Sequence, residues 1–159
     1  GYAGGESLEP FLAYHDKGVF VWCRSSNLGA QEFQDLRVSP EGSAMALYEW
    51  MAMRASQWNT RGNVGLVMGA TYPEQLRVVR ASCPGMPILI PAVGAQGGDL
   101  ESSVRFGLDA AAFNILISSS RGITYASLDS SDFAEAARQA ASQLRDRINR
   151  VLAQEGKEW

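Results

Sequence analysis

Short apolar, β-rich runs alternate along the chain with amphipathic stretches. Residues 19–23, 64–68, 87–91 and 113–118 have the near-continuous apolar character of strands buried on both faces of a parallel sheet. Between and around them, residues 7–16, 43–58, 73–81 and 100–106 read as helices, each bounded by Gly, Pro, Ser or Asp. The last element, 132–154, sets Phe133, Ala137, Ala140, Leu144, Ile148 and Val151 at steps of three and four, which predicts one apolar stripe on a long helix. Arg138, Arg145, Arg147 and Arg150 fall on its other faces and read as a solvated surface.

Repeated strand–helix units predict an α/β fold, and the pattern fits the C-terminal portion of a (β/α)8 TIM barrel: about four βα units plus a long C-terminal helix. Such a barrel needs eight units and roughly 250 residues. The expectation is therefore one partial domain over 1–159, entered midway, with its N-terminal strands missing. A four-stranded Rossmann sheet is the rival. Its glycine fingerprint should follow the first strand, and Cys23-Arg24-Ser25-Ser26-Asn27 does not supply it.

Composition narrows the function classes. The net charge of −3 comes without a basic patch, so no nucleic-acid partner is expected. No apolar run reaches the roughly 20 residues of a membrane helix, and the glycine-rich, acidic start is not signal-like. No membrane partner and a cytoplasmic location are the expectation. Cys23 and Cys83 lack a second Cys or a His at metal-ligand spacing and read as reduced core residues, so no metal is expected. His15 precedes a strand, at the end of a barrel that supports stability rather than chemistry.

In a parallel barrel, ligands meet the loops that follow the strands. After the third strand comes a glycine-rich loop, residues 92–99, and after the fourth comes Ser119-Ser120-Arg121-Gly122. Loops after adjacent late strands build phosphate cradles from backbone N–H groups completed by a fixed cation. Gln96 and Arg121 are the candidate pair, converging on one dianion. The glycines at 94, 97 and 98 permit close approach of the main chain, and Asp99 is placed to cap the next helix.

The segments Pro91-Ala92-Val93-Gly94-Ala95-Gln96-Gly97-Gly98 and Ser118-Ser119-Ser120-Arg121-Gly122-Ile123 resemble the phosphate-gripping segments of bacterial orotidine 5′-phosphate decarboxylases. Ser7-Leu8-Glu9-Pro10-Phe11, Cys23 to Asn27, Glu32-Phe33-Gln34-Asp35 and Asn63 to Thr71 look like the longer-chain bacterial branch of that family. The resemblance implies that Gln96 and Arg121 grip the phosphate of orotidine 5′-phosphate with help from the backbone around Ser120. It further implies that Ser26 hydrogen-bonds the pyrimidine edge and that Pro91 lines the base pocket. A homodimer in the complete protein is also implied. Two positions depart from the family pattern: Ala92 where Gly is usual, and Leu28 where Pro is common. Ala92 would strain the phosphate loop if a positive φ is required there.

The family's cofactor-free reaction uses a lysine set between aspartates in an Asp-x-Lys-x-x-Asp array. No such array occurs here, where the lysines are Lys17 and Lys157. No catalytic residue is therefore assigned, and the chain alone is expected to be inactive. Two other readings share the phosphate cradle: a different phosphosugar barrel, an isomerase or epimerase, and a non-catalytic half-barrel that pairs with another chain.

Overall fold

The computed structural model of the chain describes residues 1–94 and 98–157. In chain order the elements are α1 (Glu9–Leu12), β1 (Val19–Arg24), α2 (Gln31–Gln34), β2 (Arg37–Val38), β3 (Met45–Ala46), α3 (Leu47–Trp58) and β4 (Val64–Met68). Then follow α4 (Pro73–Ser82), β5 (Ile88–Ile90), α5 (Leu100–Gly107), β6 (Ile115–Ile117), α6 (Arg121–Thr124) and α7 (Phe133–Gln154). The four predicted strands form one parallel sheet in the order β1-β4-β5-β6. Register runs Val19 to Val64, Leu66 to Ile88 and Ile88 to Ile115.

Side-chain alternation decides which face of the sheet is covered. Val21 and Cys23 of β1, Leu66 and Met68 of β4, and Ile88 and Ile90 of β5 join Leu76, Val79 and Val104 from α4 and α5 in the buried core. Removing each large aliphatic side chain from water contributes about 1.5–3 kcal/mol, which is what holds helices to this face. On the opposite face Phe20, Trp22 and Leu116 stay exposed. Gly65 leaves room there for its cross-strand neighbour, since a Cβ would sit 2.5 Å from the Phe20 ring. Helices on one face, with bare apolar side chains on the other, give a partial barrel.

Three expectations need correction. The helix expected over 43–58 starts only at Leu47, because Met45 and Ala46 pair with Arg37 and Val38 in a short antiparallel hairpin. The helix expected over 7–16 shrinks to a single 3-10 turn (Gly5–Ser7) and α1, ending where backbone carbonyls of 12, 14 and 17 turn to Asn63. The stripe on α7 is only half used. Val151 and Leu152 are buried and Leu144 and Ile148 pack on the core, whereas Phe133 is 57% exposed. This helix packs mainly against α5 and α6.

Both cysteines are buried thiols, as expected. Burial pushes Cys23 up to about 12 and raises Cys83, so neither is a nucleophile at neutral pH. His15 is exposed, and no group of His, Cys, Asp and Glu able to hold a metal occurs among the described residues.

Candidate functional site

At the C-terminal ends of β1, β5 and β6 the loops enclose a cavity of about 410 Å3. Ser26, Pro91, Ser120 and Arg121 all line it, so four of the five predicted site residues come together. The fifth, Gln96, lies outside the described residues, and its convergence with Arg121 is untested by the geometry. Among the described residues no carboxylate lines the cavity, while serines, Asn27 and the Arg121 guanidinium do. Among the described residues no acidic side chain pairs with Arg121. That is the charge pattern of an anion site.

Each loop is held by main-chain bonds that prolong the sheet. Ala70 N–H donates to the Pro91 carbonyl (3.0 Å) and Ser118 N–H to that of Ile90 (3.0 Å). Ser119 Oγ donates to the Val93 carbonyl (3.2 Å), tying the loop after β6 to the loop after β5. Val93 and Gly98 form a parallel bridge across the base of their loop. A Cβ on Gly98 would fall 2.5 Å from the Ala92 carbonyl oxygen, so this position needs glycine for close approach. Asp99 caps α5 as expected, accepting from Ser102 Oγ (2.6 Å) and Ser102 N–H (3.2 Å), and these bonds hold its carboxyl below the usual range.

Arg121, expected in a loop, is instead the first residue of the short helix α6, and Ser120 precedes it as N-cap. The Ser120 carbonyl accepts from Thr124 N–H (2.8 Å) and Thr124 Oγ1 (3.0 Å), which fixes where that turn begins.

Ala92 has φ 73°, inside the left-handed region. The strain expected of alanine at this position is therefore present, in the loop that faces the cavity. Ala92→Gly is expected to raise stability by about 0.5–1 kcal/mol, shifting the melting temperature up by roughly 2–3 °C. A calorimetric scan showing the variant melting below wild type would contradict the strain.

Sequence reasoning missed Trp22, whose half-exposed ring forms one wall of the cavity. The signal was present, because alternation from the buried Val21 and Cys23 points Trp22 to the ligand-facing side. A larger cavity, about 550 Å3, opens beside Trp58, Glu9 and Arg61. It lies at the N-terminal ends of the strands and mixes acids with arginines, so it lacks the anion-site character. Lys17 sits at that same end, two residues before β1, and β1 spans about 20 Å at the usual rise per residue. It is remote from Ser26 and Arg121.

No protein-family model matches the chain. Curated relatives named orotidine 5′-phosphate decarboxylase do: one from Thermomicrobium roseum is 55% identical over 151 residues, covering 94% of this chain and 53% of that protein. Another, from Ralstonia pickettii, is 50% identical over 149 residues, covering 93% and 53%. The solved structure of Leishmania donovani OMP decarboxylase superposes with a TM-score of 0.79 at 41% identity, covering 94% of this chain and 54% of that one. The chain spans about half the length of the curated relatives it matches. Over nearly all of its own length, the chain is similar to the orotidine 5′-phosphate decarboxylases in both sequence and fold.

Proposed function

We propose that this chain carries the substrate-gripping part of an orotidine 5′-phosphate decarboxylase, which forms uridine 5′-phosphate in de novo pyrimidine biosynthesis. The observation that supports the reading best is the meeting of Ser26, Pro91, Ser120 and Arg121 around one cavity, lined by no carboxylate among the described residues. Arg121, with Gln96, binds the phosphate; Ser26 bonds the pyrimidine edge; Pro91 lines the base pocket. The complete protein is read as a cytoplasmic homodimer.

In the reaction the bond from C6 to the carboxylate breaks, carbon dioxide leaves, and the electron pair left on C6 takes a proton from a lysine ammonium. A preorganised cation stabilises that developing carbanion. The lysine belongs to the Asp-x-Lys-x-x-Asp array, which this sequence lacks. What the present residues contribute is binding energy at a phosphate remote from C6, available to hold the closed, reactive arrangement.

Isothermal titration of the chain with uridine 5′-phosphate tests the reading. Saturable binding is expected, weakened about tenfold in Arg121→Ala through loss of a charge-assisted contact. No turnover of orotidine 5′-phosphate is expected. Absence of binding, or equal binding by the variant, would overturn the reading, and turnover would place a proton donor within this chain.

A further inference from the structure

The loop that carries Ser26 rests on a buried charged cluster with no role so far. The register between β1 and β4 slips between Trp22 and Arg24. This irregularity breaks the alternation that would have sent Arg24 to the same side as Phe20 and Trp22, and Arg24 is instead completely buried, directly after buried Cys23. Bulges next to functional sites re-aim side chains in this way.

The buried guanidinium is held from several sides, although Nε and the Asp35 Oδ1 that faces it make no hydrogen bond. Nη2 donates to Asp35 Oδ2 at 2.9 Å, and Nε lies 2.9 Å from Oδ1. The ring of Tyr72 stacks with its centroid 3.8 Å from the guanidinium carbon. Nη1 donates to the carbonyl oxygen of Ser25 at 3.0 Å, the residue before Ser26. From α2, Gln34 Oε1 accepts the Ser25 N–H at 2.7 Å; from the loop after β4, Thr71 Oγ1 donates to the Ser26 carbonyl at 3.0 Å.

We infer that Arg24 is a positioning residue: clamped by Asp35 and Tyr72, it fixes the Ser25 carbonyl and so sets where the Ser26 hydroxyl meets the pyrimidine ring. The inference rests on the proposed function, since it gives Ser26 a base to recognise. Burying a charge is costly and is offset only by its pairing. Such a cost for one loop carbonyl is understandable where a loop must stand at a fixed height. A planar, five-donor guanidinium can hold a carboxylate and a carbonyl at once, which an ammonium on a flexible stem cannot.

The test compares two ligands, uridine 5′-phosphate and ribose 5-phosphate, which share the phosphate and sugar but differ by the base. For wild type, tighter binding of the nucleotide is expected. Asp35→Asn keeps size and frees the clamp, and Arg24→Lys keeps charge but loses the fork. Either variant is expected to reduce the preference for uridine 5′-phosphate about tenfold, with ribose 5-phosphate affinity unchanged within about twofold. The Ser26 amide resonance should shift with them. A purely structural role would weaken both ligands together, and that result overturns the inference, as does an unchanged preference. If Arg24→Lys does not fold, Asp35→Asn decides, because its side chain reaches solvent. A wild-type chain without any preference for the nucleotide would instead remove the functional reading on which the inference rests.

Discussion

Replacing Arg80 with methionine is expected to destabilise the chain by about 3 kcal/mol, lowering its melting temperature by roughly 6–12 °C. Arg80 is 8% exposed and meets backbone carbonyls: Nε donates to Gly107 (2.7 Å), Nη1 to Met86 (2.7 Å) and Cys83 (3.3 Å), Nη2 to Asn114 (2.9 Å). Those acceptors come from the connection between α4 and β5, from the last residue of α5 and from the connection between α5 and β6. One side chain therefore ties two turns together at the N-terminal ends of the strands. Burial lowers the Arg80 pKa, with Asp109 opposing that shift, and the four carbonyls supply the rest of its solvation. Methionine fills similar volume but removes the donor to the Gly107 and Met86 carbonyls, each a desolvation cost of about 1–3 kcal/mol, while the Cys83 and Asn114 carbonyls keep the N–H groups of Met86 and Ile88. Arg80→Lys should recover only part of the loss, because a single ammonium cannot span acceptors on both turns. Urea denaturation monitored by circular dichroism measures the change, and a loss below about 1 kcal/mol would show that water replaces the guanidinium. Since the cluster lies at the opposite end from the cavity, ligand affinity well below the melting point should not move.

That clamp was not legible in the sequence, and the reason is general. Arg80 falls on the buried side of α4 with Leu76 and Val79, where periodicity alone would expect an apolar residue. Its acceptors are main-chain oxygens up to 34 residues away, which no side-chain pattern marks. The bulge at the end of β1 is hidden for the same reason: Cys23-Arg24 reads as one more step of alternation until the register slips. By contrast, β4 was readable to the residue, because the continuous apolar run Val64-Gly65-Leu66-Val67-Met68 starts after polar Asn63, stops at Gly69 and is buried throughout. The hairpin of β2 and β3 failed to register because two-residue strands are too short to display a period.

Site residues were legible where strand ends dictate them. Pro91 closes one strand, while Ser120 and Arg121 follow another. In a parallel sheet both must face the same rim, so placing the strands placed the residues. Ala92 was legible as a departure whose consequence needed coordinates, and its φ of 73° supplies them. Trp22 lies inside a strand and not in a polar loop, so only side-chain alternation marks it as facing the cavity.

Gly69→Ala is expected to lower ligand recognition by moving the segment that carries Ser26. A Cβ at Gly69 would lie 2.6 Å from the Ser26 nitrogen, 2.7 Å from its Cα and 2.9 Å from the Ser25 carbonyl carbon. All three are backbone atoms, so no side chain can swing aside. Normal carbon contacts need about 3.5–4.0 Å, and the Ser25–Ser26 segment must therefore retreat by about 1 Å. It cannot retreat freely, being held by Arg24, Gln34 and Thr71, and Gly69 itself is fixed by its N–H donating to the Arg24 carbonyl at 2.9 Å. The strain should appear partly as lost stability, about 1–3 kcal/mol as for overpacked cores. The remainder appears as misplacement of the hydroxyl proposed to meet the base, and losing one such hydrogen bond, about 1.5 kcal/mol, costs roughly tenfold in affinity. Expected is a drop of that size in uridine 5′-phosphate affinity, with ribose 5-phosphate binding nearly retained because Arg121 stands on α6, after a different strand. If the variant keeps both wild-type stability and wild-type nucleotide affinity, the two loops do not press on each other, and Ser26 does not depend on its seat against Gly69.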